Sequence, residues 1–264
     1  MPWRPTRPNP NDVIEALRTL GFRAPDEALR AMLEQFTKAR ASPIETCEKL
    51  AQLERRERDS RNLARRTHLA ALGSFKTLDG FDWNHPKALD RAAYERLLEL
   101  TFIETGENVL LRGPSGVGKT TLAQNLGLAA LQEGYSVRFS TLAAALADLL
   151  RQESLPAFER RLRRYVRPDL LVIDEIGFVP CDSRSADLLY NIISRRHEQR
   201  STVITTNLPF KQWGTVFPGA ACVAALVDRF VQHCHVLDIE AESWRQKDSG
   251  SPPAGSKKPP RRRR

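Results

Sequence analysis

Residues 113 to 120 read Gly113-Pro114-Ser115-Gly116-Val117-Gly118-Lys119-Thr120, a complete G-x-x-x-x-G-K-[ST] phosphate loop, followed directly by Thr121. Each residue type has a task in such a loop. The glycines let backbone N–H groups turn inward around phosphate oxygens, and the Lys119 ammonium neutralises charge on the β- and γ-phosphates. The Thr120 hydroxyl, at a helix N-terminus, is a hard oxygen donor for Mg²⁺. Downstream, Asp169-Leu-Leu-Val-Ile-Asp174-Glu175 is a buried-strand signature that ends in two carboxylates. Both acids therefore emerge at the C-terminal edge of a strand, where open α/β sheets bind ligands. Asp174 suits a Mg²⁺ ion held through its water shell. Glu175, one residue on and pointing differently, suits activation of the water that attacks the γ-phosphate. A third strand, Ser201-Thr-Val-Ile-Thr-Thr-Asn207, ends in an amide that both donates and accepts, as a group orienting that water must.

The elements that position these residues alternate along the chain. Apolar runs and helical periodicity predict strands near 108–112, 135–140, 169–174, 201–206 and 233–239. Helices are expected over 119–133, within 141–166, and over 184–199 and 221–232. That order implies a parallel sheet with helices on both faces. A further helix is expected from Pro86 to Glu104. Ahead of it, Phe75 to Trp83 reads as a linker in which Phe81 and Trp83 are packing residues. The N-terminal third is helical by its punctuation. Asn11 or Asp12 is placed to cap a helix that stops at Gly21, Pro25-Asp26-Glu27 opens a second, and Ser42-Pro43-Ile44-Glu45 is a capping box opening a third that runs to about Leu72. Six arginines between Arg55 and Arg66 leave that helix as either a solvated face or a nucleic-acid or partner surface. The resulting organisation is a helical N-terminal domain (1–74), a nucleotide-binding domain (75–245) and a disordered basic tail (246–264).

At 264 residues and 41% apolar content the chain can bury a sizeable core. Its net charge is +9, of which residues 257–264 carry six positive charges, so that tail is a candidate phosphate-binding arm. The four cysteines (Cys47, Cys181, Cys222, Cys234) are widely spaced and form no C-x-x-C pair, which implies a reduced, intracellular protein without structural zinc. His233-Cys234-His235 alternates across a strand and is not expected to ligate a metal. No leader segment is visible and the longest apolar stretch, near Leu142, is interrupted by Asp148, so a cytoplasmic protein is expected.

Residues 75–245 resemble the IstB family, the AAA+ ATPase helpers of insertion-sequence transposition, related to DnaC helicase loaders and more distantly to DnaA initiators. The resemblance is carried by the phosphate loop, Leu171-Val-Ile-Asp-Glu-Ile-Gly177-Phe178, Arg200 to Trp213, Ala225-Leu-Val-Asp-Arg229-Phe230 and Ser243-Trp244-Arg245. Phe178 and Trp244 stand where the family usually has tyrosine. The resemblance implies an AAA+ sheet of order 5-1-4-3-2 without a C-terminal helical lid, with ATP and Mg²⁺ as cofactors. It further implies a homo-oligomer with ATP at the subunit interface, where an arginine of the neighbour reaches the γ-phosphate. Arg229 best matches that finger, with Arg195 and Arg196 as substitutes. Relatives also carry an extra helix that lines a DNA channel. Here Arg160, Arg161, Arg163 and Arg164 supply it with charges suited to phosphates rather than bases. The implied function is an ATP hydrolase that assembles on duplex DNA and recruits or activates a transposase. A replicative helicase loader is the alternative. A metabolite kinase is disfavoured, because Asn207 and the Asp-Arg-Phe element have no task in that chemistry.

Overall fold

Val109, Leu110 and Leu111 are completely buried, as are Leu170 to Ile173 and Val203 with Ile204. Strands covered on both faces need such continuous apolar runs, which is how a parallel sheet reads in sequence. The computed structural model describes residues 9–83, 88–177 and 182–240. Phe178, Cys181, Ser243 to Arg245 and the basic tail lie outside the described residues. The chain divides into two compact units, Met1–His68 and Leu69–Arg264.

In the first unit, α1 (Pro10–Thr19), α2 (Asp26–Ala39) and the long α3 (Pro43–Ala70) pack Ile14, Ala24 and Leu29 against Leu17, Leu33, Leu50 and Leu53. Asn9 caps α1, accepting from the Asn11 N–H, so the cap lies upstream of the Asn11 or Asp12 expected; Pro10 then takes the first helical position. Ser42 caps α3 as anticipated, accepting from the Glu45 N–H at 3.2 Å. Glu54 is buried, and its carboxylate accepts the backbone N–H groups of Arg23 and Ala24 at 2.7 and 2.9 Å. Burial raises its pKa, but these two N–H groups and the guanidinium groups of Arg61 and Arg58 outweigh that and leave it lowered. Two of the six clustered arginines thus serve the interior of their own unit.

The second unit contains a six-stranded sheet of order β1-β6-β2-β5-β4-β3. Its strands are β1 (Ala88–Leu89), β2 (Asn108–Arg112), β3 (Val137–Thr141), β4 (Leu170–Ile176), β5 (Ser201–Thr206) and β6 (Cys234–Glu240). The five long strands are parallel neighbours in the order the resemblance implied. The two-residue β1 adds an antiparallel edge against β6 that was not anticipated. The single helix expected over Pro86–Glu104 is a correction, since that stretch holds β1, then α4 (Arg91–Leu98) capped by Asp90, then α5 (Thr101–Glu104). Buried Leu100 breaks it by adopting φ 63°. The remaining helices are α6 (Lys119–Gln132), α7 (Leu142–Leu150), α8 (Leu155–Val166), α9 (Ser183–Arg196), α10 (Trp213–Val216) and α11 (Val223–Val231). One core joins α7, α8, α9 and α11 to the sheet through Leu146, Leu162, Leu189, Ile193, Leu226 and Phe230.

Arg196 stitches this layer together. Its guanidinium is fully buried and donates to the carbonyls of Tyr165, Val166, Pro168, Asp169 and Ser201 and to Thr202 Oγ1, joining the ends of α8, β4 and β5. Burial pulls its pKa down to about 9, which still leaves it charged at neutral pH. Arg196→Met should leave several carbonyls without a donor and cost about 3 kcal/mol or more. Urea unfolding of the full chain measures this, and a loss under about 1 kcal/mol would show that the carbonyls find other donors.

Candidate functional site

The phosphate loop leaves β2 and enters α6. Gly118 adopts φ +95°, and a Cβ there would fall 2.8 Å from the Phe81 ring, so only glycine fits both the turn and the neighbour. The Lys119 side chain is buried, and its ammonium donates to the carbonyls of Gly113 (2.7 Å) and Pro114 (2.6 Å). Just before the loop, Arg112 forms a two-pronged ion pair with Asp238, both hydrogen bonds being 2.6 Å, which fastens the ends of β2 and β6 side by side.

β4 delivers the two acids. Asp174 is buried, and Thr120 Oγ1 lies 3.0 and 3.1 Å from its carboxylate oxygens. A hydroxyl and a carboxylate converging in this way form a hard oxygen donor set suited to Mg²⁺, which takes one or two protein oxygens and keeps its waters. The next residue, Glu175, has φ 65° and is exposed, and the pairing of β4 with β5 shifts register between Ile173 and Ile176. This bulge turns the Glu175 carboxylate away from Asp174. Thr205, one strand over on β5, accepts the Glu175 N–H at 3.0 Å and donates its own proton to Asp174.

Ser115 to Thr121, Glu175 and Thr205 line one cavity of about 360 Å³. Its remaining wall is Lys76, Gly80, Phe81 and Asp82. Sequence reasoning misses this wall, because it takes Phe81 as a packing residue of a linker. The wall is held by α6: Gln124 donates to the Leu72 carbonyl (2.7 Å) and Asn125 to that of Lys76 (3.0 Å). Two amides amid the apolar residues of α6's interior, Gln124 and Asn125, are the available signal, because buried amides must have partners.

Asn207 follows β5. Its Oδ1 is buried without a hydrogen-bond partner, and a Cβ at Gly177 would sit 2.9 Å from it. Such an orphaned acceptor fits a group that acts on a donor supplied from outside the chain. Arg229 stands apart from the cavity, on α11, stacked 5.1 Å over the Tyr190 ring and donating to Ser194 Oγ on α9. Of its two substitutes, Arg195 is locked in a two-pronged bridge to Glu159, both bonds 2.8 Å, and Arg196 is buried as described. Arg196 as a finger is therefore corrected.

On α8, Arg160, Arg163 and Arg164 are exposed, whereas Arg161 turns to Asp148 at 2.9 Å. Arg167, the exposed C-cap residue, follows Arg160 by seven and Arg163 by four positions, so it shares their face. The exposed arginine stripe thus includes Arg167 in place of Arg161. His235 pairs with Glu107 at 2.7 Å, and no metal-binding cluster occurs among the described residues.

Residues 16–251 match the family of IstB-like ATP binding proteins. The chain is 36% identical over 205 residues to a protein named for ATP binding in insertion sequence IS232 of Bacillus thuringiensis subsp. berliner, covering 78% of this chain and 82% of that one. It is 34% identical over 220 residues to the similarly named protein of insertion sequence IS21 from Pseudomonas aeruginosa, covering 83% of each. Among solved structures, AMPPCP-bound DnaA from Aquifex aeolicus superimposes with TM-score 0.53 at 22% identity, over 64% of this chain and 51% of that one. DnaI does so with TM-score 0.52 at 20% identity, over 62% and 90%. These likenesses bear on the fold alone, a mostly parallel sheet flanked by helices that this chain shares with DnaA and DnaI. With phosphate loop, paired acids and Asn207 strand set on such a sheet, and with the family match spanning most of its length, the chain belongs to the IstB-like ATP-binding protein family.

Proposed function

We propose that this chain hydrolyses ATP in a homo-oligomer assembled on duplex DNA, in the cytoplasm, and that the assembly recruits or activates a transposase. The observation that carries the reading is that Thr120, hydrogen-bonded to buried Asp174, lines one cavity together with Lys119 and Glu175. Thr120 and Asp174 would hold Mg²⁺, which when bound neutralises phosphate charge. Lys119 exchanges its two loop carbonyls for phosphate oxygens, a ready exchange because both are charge-assisted contacts of one ammonium. Phe81 flanks the nucleoside side of the cavity. Glu175 takes the proton of the attacking water, and Asn207 orients that water through its unpartnered amide oxygen. Arg229 acts on the neighbouring subunit's nucleotide, leaving Tyr190 and Ser194 as the subunits close.

The arginine stripe of α8 faces the DNA backbone, with the 257–264 tail as an auxiliary arm. ATP binding locks subunits around the duplex and hydrolysis releases them. Names of relatives drawn from insertion sequences favour a transposase as the partner.

Lys119→Ala should abolish ATP binding in equilibrium fluorescence. Glu175→Gln should bind ATP normally yet release phosphate roughly 10²- to 10⁴-fold more slowly. A wild-type rate in Glu175→Gln would remove that residue as the base.

For the finger, mixing Arg229→Ala subunits with Lys119→Ala subunits should restore part of the hydrolysis that each lacks alone, since a mixed interface pairs an intact pocket with an intact arginine. No recovery from mixtures shown to co-assemble would exclude Arg229.

DNA affinity should depend on ATP and fall steeply with salt. Changing Arg160, Arg163, Arg164 and Arg167 to Ala should flatten the log–log salt slope by about 0.9 for each phosphate that is no longer neutralised, while Arg161→Ala leaves it nearly unchanged. An equal effect of Arg161→Ala would contradict the assigned stripe. The ATP–DNA assembly should stimulate strand transfer by a transposase encoded beside it. Deposition of a replicative helicase instead would identify a loader.

A further inference from the structure

The Thr205 hydroxyl lies where the two acids of β4 part company. Thr205 is 1% exposed, lines the nucleotide cavity, and belongs to the strand between β2 and β4. Its Oγ1 accepts the Glu175 N–H at 3.0 Å and donates to Asp174 Oδ1. The same Asp174 oxygen is 3.0 Å from Thr120 Oγ1. One hydroxyl, using one lone pair and its single proton, therefore ties the left-handed backbone at Glu175 to the carboxylate that faces the phosphate loop.

Apart from the Thr120 hydroxyl, which also donates to Asp174, neither group has an easy substitute partner. The register shift between Ile173 and Ile176 takes Glu175 out of the ladder with β5, so its N–H relies on a side chain. A non-glycine residue at φ 65° persists only where its surroundings hold it. Asp174, 3% exposed, has little access to water to replace a missing donor. We infer that Thr205 is a positioning residue of the nucleotide site, whose hydroxyl orients the Asp174 carboxylate toward Thr120 and fixes the backbone turn that presents Glu175 to the cavity. The inference rests on the proposed roles of Asp174 and Glu175. It assigns Thr205 no contact with the reacting atoms.

The test uses the full chain, with Thr205→Val removing the hydroxyl at nearly constant volume and Thr205→Ser keeping it. Binding of a fluorescent ATP analogue is titrated with MgCl₂, and kcat and KM for phosphate release are measured in parallel. Thr205→Val should bind the analogue without Mg²⁺ within about twofold of wild type, since the loop is untouched. It should need about tenfold more Mg²⁺ for half-maximal response and lose about 10- to 100-fold in kcat with little change in KM, the expected scale for a buried charge-assisted hydrogen bond. Thr205→Ser should restore both.

Wild-type Mg²⁺ dependence and kcat in Thr205→Val would overturn the inference. So would a Ser variant as impaired as the Val variant, because packing of the methyl would then be the cause. If Thr205→Val does not fold by circular dichroism, Thr205→Ala is read by the same criteria. Should the wild type bind the analogue but release no phosphate, the hydrolysis reading fails, and the Mg²⁺ titration alone still decides Thr205.

Discussion

The hydrogen bond from Thr120 to Asp174 joins residues 54 positions apart, and everything around the cavity is arranged so that it forms. The first turn of α6 follows β2, and Asp174 ends the buried run of β4, yet these strands are not neighbours. β5 lies between them. A chain that places a later strand between two earlier ones opens a crevice over the C-terminal ends of the sheet, which is where open α/β folds receive ligands. The middle strand then forms the floor, and its side chains must satisfy the polar groups arriving from either side. Thr205 and Thr206 do this, Thr205 toward Asp174 and Glu175, and Thr206 by donating to the Ile176 carbonyl at 2.7 Å. The two threonines that follow buried Val203 and Ile204 at the end of this strand are thus a consequence of the strand order.

Much of this was legible because burial leaves a strong imprint. The expected bounds of β2 and β5 match those observed: in β2 the buried Val-Leu-Leu run is closed by polar Asn108 and Arg112, and in β5 a β-branched run, Thr-Val-Ile-Thr-Thr, leads up to the Asn207-Leu-Pro turn signal. The loop, Asp174 and Glu175 could be read from spacing because phosphate chemistry permits few residue types there. What escaped depended on partners remote in sequence. Phe81 is one aromatic in a stretch of mixed composition, and it is held at the cavity by α6's grip on the Leu72 and Lys76 carbonyls and by packing on Trp83, which rests on Tyr94. β1 is two residues long, too short for any periodicity. The break at Leu100 has no glycine or proline to announce it, because tertiary packing of a buried leucine overrides local preference there.

The arginines show most clearly why sequence alone misassigns charge. A guanidinium enters the interior only where acceptors meet its N–H groups, and those acceptors are main-chain carbonyls at element ends, which no local pattern reveals. Arg195 and Arg196 are adjacent and chemically identical, yet one bridges Glu159 near the surface and the other is encased by carbonyls. The stripe on α8 is what remains after such sorting. Its members repel one another at spacings of three and four, by about 0.2–0.5 kcal/mol per pair. Arg163 and Arg164 occupy the last turn and Arg167 the C-cap, however, where the helix dipole favours a cation by about 0.3–1 kcal/mol. The two effects are of the same size and opposite sign. A dense row of positive charge is therefore held on this helix at little cost to the fold, and a polyanion laid along it would remove the repulsion while leaving the dipole term in place.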